Sequence, residues 1–469
     1  MVTLSPTSHH SPAQFDWPLA YEAEERLGQF IGAFLGQNRF ARTLAQRMRD
    51  ETGTDFYEWV DHLTVGVEHV AGLRALGLTE EAVPAPDGAT VFFHPRAMMP
   101  RVLVRAGGSR EGVPSQLAIR PEVVVDFLAR HDLASAVEGE FGARLRRAGV
   151  SDENGTRLEA IERLGWRGLV APASGKDAVA PAAVVKAREL FRARKRFFPA
   201  DAEGVGHAFA VLDRVLALVP RDVACELFFA EERVYWEFRN RAGRVQKRRQ
   251  DLLGLGWGNH DHHTFRCSRT WFPDLIEFLA RLGLEKRERY YAGEEAGWGA
   301  QIMEAPAAGI VVFADVDLKP GEIDIDFATQ RLPELPALRT VGLWCALHGD
   351  SFLQAGMHHL EARFDFVRLR DQLEAEGVNT MKPFSDFPFL KQAFTEGERW
   401  RVRPERIDAL LQGGLITAPQ AEGFRRDGAL GSHLENLQRK GGFKGFNQKA
   451  VSAIIAATDP RKAQADHSA

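Results

Sequence analysis

The chain of 469 residues is long enough for two or three domains. Its 60 Lys and Arg residues nearly balance its 64 Asp and Glu residues, which argues against nucleic acid or an anionic membrane surface as a partner. Hydrophobic residues make up 45% of the sequence, enough to form buried cores, so we predict a soluble globular protein.

The cysteines and the first residues indicate the compartment. Cys225, Cys267 and Cys345 are few, widely spaced and odd in number, as expected in a reducing environment without a disulfide framework. The first residues show no basic segment followed by an apolar core. No apolar run approaches the roughly 20 residues of a membrane helix. We therefore predict a cytoplasmic protein without a membrane segment.

The N-terminal part is predicted to contain a disordered tail, residues 1–17, and an α+β domain, residues 18–170. The tail is rich in Ser, Pro and His and has too little apolar surface to offset the entropy of ordering. In the domain, a helical pattern precedes a predicted strand at 59–65, and further strands follow. A second strand-then-helix pattern begins at Leu117. We interpret this domain as a degenerate pair of the modules described below.

A linker and a connector are predicted next. The linker, residues 171–184, is rich in Pro, Gly and small residues. The connector, residues 185–257, is predicted to combine helices with a β-hairpin at Cys225–Phe238, where apolar and polar residues alternate. The most basic stretch of the chain follows at 239–250. It lacks interleaved aromatic residues, so we interpret it as a solvated surface and not as a nucleic-acid site.

From Gly258 onward a β-α-β-β-β pattern occurs twice. The first module, residues 258–330, begins with a strand at His262–Arg266 and continues with an amphipathic helix and three strands. The second module, residues 331–459, begins with a strand at His359–Arg363 and repeats the pattern.

The second module also carries an insertion at 399–427, which is predicted to be helical and to act as a lid over a cleft. Residues 460–469 are predicted to form a tail. The predicted fold class is α+β: paired βαβββ modules form a metal-binding cleft, and an additional α/β domain precedes them.

The first strand of each module carries the pattern His-x-x-x-Arg, with His262 and Arg266 in one copy and His359 and Arg363 in the other. Residues four apart on a strand share one face and lie about 13 Å apart, so a metal and a substrate carboxylate can bind at opposite ends. Glu435 lies in a short apolar segment, a position that favours a ligand role. Two histidines and one carboxylate are the ligands of non-haem Fe(II) oxygenases. We therefore predict Fe(II) bound by His262, His359 and Glu435.

The residue pattern leaves alternatives for each ligand. Any single histidine is more often a hydrogen-bonded structural residue than a ligand. Strand parity favours His262 and His359 over their neighbours His263 and His358, but His260 shares the parity of His262 and remains its rival. Glu304 and Glu396 compete with Glu435, and the arginines have a structural interpretation as ion-pair partners of carboxylates such as Glu361.

The doubled module, with a histidine opening each copy and a glutamate late in the second, resembles the vicinal oxygen chelate superfamily, whose fold is the glyoxalase fold. The segment Glu435–Asn447 is similar to the carboxy-terminal signature of 4-hydroxyphenylpyruvate dioxygenases, in which an acidic iron ligand precedes a Gln-Arg pair and a turn rich in Gly and Phe. The segments Asp261–Arg266 and His359–Arg363, with Leu390–Gln392 between the ligands, look more like the 2-oxoadipate dioxygenase/decarboxylase family.

The resemblance covers residues 258–459 and implies an activity. Both families bind a 2-oxo acid and O2 at Fe(II) and couple oxidative decarboxylation to hydroxylation of the same molecule. In the 2-oxoadipate family the first-strand arginine holds the distal carboxylate of the substrate, a role that the resemblance passes to Arg266. Arg363 and Gln392 are secondary candidates for substrate contact.

Together these features predict an Fe(II) dioxygenase that decarboxylates and hydroxylates a dicarboxylic 2-oxo acid such as 2-oxoadipate, giving 2-hydroxyglutarate. Arginine favours a dicarboxylic substrate because a guanidinium recognises a carboxylate in a planar, bidentate way. One alternative is an aromatic 2-oxo acid oxygenase of the 4-hydroxyphenylpyruvate type. A second is a metal-dependent lyase or isomerase of the glyoxalase type, which an extra carboxylate ligand would favour. A third is a non-enzymatic binding protein, in which the cleft holds a small ligand, the histidines are structural and no metal binds stoichiometrically. A homodimer and the role of the N-terminal domain stay open.

Overall fold

The computed structural model describes residues 17–172, 179–294, 296–447 and 459–461. Of the predicted tails and linker, residues 1–16, 173–178 and 462–469 lie outside the described residues. The end of the predicted linker, from residue 181 to residue 184, belongs to a helix, Pro181–Arg192. The described residues form two large sheets, each covered by helices on one face. Among these helices none combines the length and the apolar character that crossing a membrane requires.

The N-terminal half is organised around its first strand. In chain order it contains α1 (Tyr21–Gln37), α2 (Arg39–Arg47), β1 (Val60–Val65), α3 (Val70–Ala75), β2 (Thr79–Glu81), β3 (Thr90–Phe93), β4 (Arg101–Val104), β5 (Ser109–Arg110), β6 (Val113–Pro114), β7 (Gln116–Ile119), α4 (Val124–Arg130), β8 (Leu145–Glu153) and β9 (Thr156–Arg163). Within the described residues, seven of these strands form a sheet in the order β2-β3-β4-β1-β7-β9-β8. Leu63 and Val65 pack against Leu27 and Phe30 of α1, so the even-numbered residues of β1 lie on the other face.

Four helices connect the halves: α5 (Pro181–Arg192), α6 (Asp201–Leu216), α7 (Arg221–Phe238) and α8 (Arg241–Asp251). The predicted hairpin at Cys225–Phe238 is wrong, because these residues belong to α7. Phe228 packs against Phe191 of α5 and Phe265 of the following sheet, and this packing outweighs the local alternation. The basic stretch in α8 is only partly solvated, since Gln246 is buried and donates a hydrogen bond to the Thr52 carbonyl.

The C-terminal half contains β10 (His260–Arg266), α9 (Phe272–Arg281), β11 (Glu285–Tyr291), β12 (Trp298–Ala305), β13 (Ile310–Asp317), α10 (Thr340–His348), β14 (His359–Arg363), α11 (Phe366–Ala375), β15 (Ser385–Phe387), β16 (Leu390–Phe394), β17 (Glu398–Trp400), α12 (Pro404–Gln412), α13 (Ala418–Asp427) and β18 (Ala429–Arg439). Its described strands form one sheet in the order β11-β12-β13-β10-β14-β18-β16-β15, with β17 paired to β18. The predicted α+β fold with paired βαβββ modules is confirmed. The helical insertion packs on α10, where Leu343 and Leu347 share a core with Ile407 and Phe424.

The centre of this sheet positions the candidate site. β10 pairs antiparallel with β14, and each has a parallel neighbour on its outer side, β13 and β18 respectively. Phe265 and Leu360 face the helices in a large apolar core. Because side chains alternate along a strand, His262, Thr264 and Glu361 face the opposite side, away from the helices.

Candidate metal centre

Three neighbouring strands bring histidine and carboxylate side chains to one level of the C-terminal sheet. His262 on β10 lies opposite Glu361 on β14, and Glu361 lies beside Glu435 on β18. His359 precedes Glu361 by two residues and therefore shares its face. The four side chains converge although they are far apart in the sequence.

The distances are short enough for a common ion. Donor atoms of His262, Glu361 and Glu435 all lie within 4.8 Å of one another. The Nε2 atom of His262 lies 3.2 Å from Oε1 of Glu361, and Nε2 of His359 contacts the same oxygen. All four side chains are buried. Two of the three predicted ligands, His262 and Glu435, thus form one group with Glu361, and the third, His359, joins this group through its contact with Glu361.

From the sequence, Glu361 was expected only to form an ion pair with an arginine. Its carboxylate instead faces the two histidines and accepts a hydrogen bond of 3.0 Å from the Thr264 hydroxyl. The sequence spacing could have indicated this position of Glu361, because a residue two positions after His359 lies on the same face of the strand. The register of β14 against β10, which places Glu361 opposite His262, was not visible in the sequence.

The carboxylates of the site are in an environment that favours a cation. Burial, together with the charge of Glu435, raises the pKa of Glu361 well above its usual range. Burial also raises the pKa of Glu435 to about 8, although Gln392 donates a hydrogen bond of 2.8 Å to it. Oε2 of Glu361 has no hydrogen-bond partner within the described part of the chain. Since an unpaired buried carboxylate is costly, a positive ion here would compensate the charge.

The histidines fit a metal equally well. Burial lowers the pKa of His262 and the pKa of His359, so both imidazoles are neutral at physiological pH. A neutral imidazole has one unprotonated nitrogen that can act as a ligand. Imidazoles and carboxylates together are donors for divalent iron, manganese, nickel or zinc. The residues present therefore fit a divalent transition-metal ion.

His262 is held in place by an ion pair behind it. Its Nδ1 atom lies 2.8 Å from Oδ1 of Asp261. Asp261 in turn accepts two hydrogen bonds of 3.0 Å from the guanidinium of Arg439 on β18. Although burial opposes it, Arg439 helps to hold the pKa of Asp261 well below its usual range. The ionised Asp261 keeps the proton of His262 on Nδ1 and leaves Nε2 free for a metal.

The other ligands have different supports. Nδ1 of His359 lies 2.6 Å from Nδ1 of His358, so one imidazole orients the other. The amide nitrogen of Gln392 holds Glu435, whereas the amide oxygen of Gln392 has no partner among the residues that the structure describes. Gln392 therefore supports a ligand and also presents a polar oxygen in the site.

A cavity of about 50 Å³ lies over these side chains. Its polar lining comes from the four candidate ligands and from Thr264, Asp315 and Gln392. Its apolar lining is aromatic and consists of Tyr290, Trp298, Phe313, Phe384, Phe394 and Phe446. The loop that follows β18 closes the cavity, since the Phe446 ring packs at 5.0 Å on Tyr290 and at 5.2 Å on Phe313. A cavity of this kind excludes bulk water and favours a small ligand.

Arg266 lies four residues after His262, on the same face of β10. It is 0% exposed, and none of its three side-chain nitrogens has a hydrogen-bond partner among the described residues. Its cross-strand neighbour Asp315 lines the cavity, and burial raises the pKa of Asp315 to about 8. Nε1 of Trp298, which also lines the cavity, lacks a partner within the described chain. This end of the site is rich in unsatisfied hydrogen-bond donors.

The strand order decides the architecture of this half. It has the glyoxalase fold. Two βαβββ modules place their first strands, β10 and β14, side by side at the centre of one curved sheet, and the candidate ligands lie on β10, β14 and β18.

Comparisons with known proteins found only distant similarities. No family model matches the sequence, and no curated protein matches it. Similar solved structures include a mutant of 4-hydroxymandelate synthase from Streptomyces coelicolor, with 15% identity, coverage of 86% of this chain and 98% of that chain, and a TM-score of 0.27. A protein from Ralstonia eutropha assigned to the glyoxalase superfamily has 14% identity, coverage of 56% and 97%, and a TM-score of 0.31. Because both TM-scores are low, the fold assignment rests on the strand order of this chain.

Two of the remaining predicted residues of the glyoxalase-fold half lie away from the cavity. Arg363 pairs with Glu58 at 3.0 Å and lines a different cavity of about 330 Å³ between the two halves. His260 is displaced by an irregular register between it and His262, and its Nδ1 lies 3.0 Å from the carbonyl oxygen of Trp257. The structure therefore does not bring Arg363 or His260 to the candidate ligands.

The other residues that were alternative ligands lie outside the cavity. His263 faces the helices, where its Nε2 lies 3.3 Å from the guanidinium of Arg233. Glu304 forms an ion pair of 3.0 Å with Lys444. Glu396 is exposed. None of these three carries a donor atom into the cavity lining.

Proposed function

We propose that the protein is a non-haem Fe(II)-dependent dioxygenase that oxidatively decarboxylates and hydroxylates a dicarboxylic 2-oxo acid such as 2-oxoadipate, with 2-hydroxyglutarate as the product. The observation that carries the proposal is the buried group of His262, Glu361 and Glu435, with His359 in contact with Glu361, on one side of an aromatic cavity. Farther along the same strand face lies the guanidinium of Arg266, which has no hydrogen-bond partner among the described residues and lies over the Trp344 ring at 5.7 Å. We therefore place the metal and the distal carboxylate of the substrate at two positions along one face of β10.

In this proposal His262, His359 and Glu435 hold the iron. Three protein ligands leave open positions, and Fe(II) bound there supplies the chemistry that activates O2 and a chelated 2-oxo acid. Asp261 fixes the tautomer of His262, and Gln392 fixes the carboxylate of Glu435. The chain itself therefore supplies a preorganised set of donors.

The substrate is oriented by the far end of the site. The guanidinium of Arg266 would receive the distal carboxylate, and the indole N–H of Trp298 would donate to the same anion. With a pKa of about 8, the Asp315 carboxyl holds its proton at neutral pH and does not repel that carboxylate. The rings of Phe446 and Phe313 exclude water around the bound molecule.

The charge of Arg266 supports a dicarboxylic substrate over an aromatic one. The cavity measures about 50 Å³, and six aromatic side chains already line it. The buried cation of Arg266 has no counterpart on a phenol ring.

A second candidate function has its own observation. Glu361 adds a second carboxylate to the donor set, and Oε1 of Glu361 lies within reach of both histidines. Two histidines and two carboxylates would suit a lyase or isomerase of the glyoxalase type, in which a metal polarises the substrate without O2. In that function Glu361 would be a ligand or would hold the proton removed from the substrate.

The test is O2 consumption by protein reconstituted anaerobically with Fe(II) and then mixed with 2-oxo acids in air-saturated buffer. We expect one CO2 released per O2 consumed with 2-oxoadipate, and little uptake with 4-hydroxyphenylpyruvate. The His262→Ala variant serves as the matched control and should bind less than one iron per chain and consume no O2.

Two results would redirect the proposal. Stoichiometric metal without O2 uptake for any 2-oxo acid, together with anaerobic turnover of a glyoxalase-type substrate by the Zn, Ni or Mn form, would support the lyase or isomerase. A protein that binds no metal would contradict both functions.

A further inference from the structure

The first strand of the N-terminal half reproduces the first strand of the metal centre. Asp61, His62 and Thr64 on β1 have the same spacing as Asp261, His262 and Thr264 on β10. Each strand pairs parallel with one neighbour and antiparallel with the other. In both antiparallel ladders the register shifts just before the histidine. The two strands are therefore alike in sequence, in pairing and in irregularity.

The ion pair behind the histidine is also repeated. Nδ1 of His62 lies 2.8 Å from Oδ1 of Asp61. Arg163 donates to both oxygens of Asp61, at 2.7 and 2.8 Å. In the metal centre Asp261 and Arg439 form the corresponding ion pair. Arg163 and Arg439 each lie on the last strand of their half, four residues after a buried glutamate, Glu159 or Glu435.

The strand registers show which of the four donor positions differ between the N-terminal sheet and the metal centre. Ala118 lies between His62 and Glu159 in the N-terminal sheet, in the position that Glu361 occupies between His262 and Glu435. Gln116 lies opposite Thr64, in the position that His359 has opposite Thr264. The N-terminal copy thus keeps one histidine and one glutamate and lacks the other two donors.

The buried glutamate of this copy has a cation from the chain itself. Glu159 is 5% exposed, and its Oε1 lies 2.9 Å from Nε of Arg157. Arg157 lies beside Gln116 on the neighbouring strand. In the C-terminal half the corresponding pair is His433 beside His359. Gly149 lies opposite Glu159, and the guanidinium of Arg157 lies over it, since a Cβ at Gly149 would be in van der Waals contact with Nη2 of Arg157 at 3.4 Å. The Arg157 side chain is 49% exposed, and its guanidinium contacts the buried carboxylate that a metal at this position would need.

We propose that the N-terminal sheet is a second copy of the metal centre in which the guanidinium of Arg157 takes the place of the ion. The native chain then binds one metal. In the N-terminal half the ion pair of Asp61 with Arg163 still supports His62, but a complete set of metal ligands is lacking among the described residues. The loss is local, because the backbone register, the supporting ion pair and two of the four donors persist.

The test restores the missing donors and removes the guanidinium in the full chain. The variant Gln116→His/Ala118→Glu/Arg157→His is dialysed against Co(II), and metal per chain is measured by mass spectrometry together with the visible absorption of bound Co(II). We expect one equivalent for the native protein and two for the variant. Adding His62→Ala to the variant should return the content to one equivalent.

The metal content and the stability of the variants decide whether the proposal holds. Two equivalents in the native protein, or one equivalent in a variant whose circular dichroism and unfolding midpoint match the native protein, would overturn the proposal. If the triple variant does not fold, the role of Arg157 is measured alone. Arg157→Ala should lower the unfolding midpoint because Glu159 loses its cation, and Glu159→Gln in the same chain should restore it. Equal midpoints for Arg157→Ala and the native protein would refute the proposed replacement.

Discussion

Glu361 separates the two candidate functions at the scale of single residues. It lies between His262 and Glu435 in the sheet, and its Oε1 is shared by His262 and His359. In a dioxygenase with three protein ligands, Glu361 stays outside the coordination sphere. In a lyase or isomerase it would be one of four ligands.

Glu361→Gln is therefore expected to keep one Fe(II) per chain, because His262, His359 and Glu435 remain. Glu435→Gln is the matched variant and should lower the iron affinity by at least tenfold, since a ligand carboxylate is lost. Both affinities can be measured by anaerobic competition with a chelator. An equal loss of affinity in the two variants would show four-ligand binding and would favour the lyase or isomerase.

Arg266 offers a test of the substrate. Replacing Arg266 by Met removes a buried charge-assisted contact worth about 3 kcal/mol, so the KM for 2-oxoadipate should rise roughly 100-fold. The KM for 2-oxohexanoate, which lacks the distal carboxylate, should change much less. Arg363→Met is the control, because Arg363 lines a different cavity and pairs with Glu58. A similar rise for both acids would contradict the assignment of Arg266 to the distal carboxylate.

Asp315 predicts a pH dependence of stability. Burial raises its pKa to about 8 in the folded protein, whereas an unfolded Asp titrates near about 4. Between these values the folded state binds a proton that the unfolded state has lost, so this contribution to the free energy of unfolding falls as pH rises. It is fully present below pH about 4 and is lost as pH rises through about 8. Urea unfolding of metal-free protein between pH 5 and 8 should show a smaller decline for Asp315→Asn than for the native protein, and parallel declines would refute the assignment.

At the scale of elements, the irregular pairing of β10 with β14 shapes the metal centre. Regular alternation would place His260 and His262 on one face, which made His260 a rival ligand. The register shift between them instead pairs His260 with Ala362 and His262 with Glu361. Asp261 thereby lies behind His262 and reaches Arg439 of β18. One irregularity thus selects the ligand and supplies its support.

Asp261→Asn should consequently weaken the metal site without removing a ligand. The amide cannot hold the tautomer of His262 as an ionised carboxylate does, and such losses typically lower metal affinity by about 10- to 100-fold. Asp61→Asn is the matched control in the N-terminal half and should leave metal affinity unchanged. The measurement is Co(II) competition on both variants, and unchanged affinity in Asp261→Asn would refute the supporting role.

At the scale of the whole molecule, the N-terminal half holds the loop that closes the cavity. The backbone N–H of Ala20 donates to the Gly441 carbonyl at 2.8 Å, and that of Met98 donates to the Gly442 carbonyl at 2.8 Å. Gly442 adopts a φ of 59°, and a Cβ there would lie 2.6 Å from Cε of Met99. These contacts fix the segment that leads to Phe446 in the cavity wall.

Metal removal should destabilise the whole fold, because β10, β14 and β18 are central strands of the sheet. A ligand at 1,000 times its Kd adds about 4 kcal/mol to the free energy of unfolding. We expect chelation to lower the unfolding midpoint measured by calorimetry, and Fe(II) or Zn(II) to restore it. The His262→Ala variant should show no such shift, and an equal shift in that variant would place the stabilising metal elsewhere.

Much of the candidate site could be predicted from the sequence. The repeated His-x-x-x-Arg pattern and the late Glu435 identified His262 and Glu435, which lie in one group with Glu361, and His359, which contacts Glu361. The paired βαβββ modules followed from hydrophobic periodicity, which local backbone geometry determines. Arg266 was placed on the ligand face of β10 by the alternation of a strand, and its buried guanidinium lies on that face.

Only the tertiary structure decided the rest. The hairpin predicted at Cys225–Phe238 became α7, because Phe228 packs between α5 and the sheet. The place of Glu361 among the ligands and the separate cavity of Arg363 depend on strand register and on contacts between the two halves. Alternation along one strand is a local property of the backbone, whereas register, irregular pairing and packing arise from residues far apart in the chain. The sequence therefore determined which side chains could bind a metal, and the register decided which of them meet.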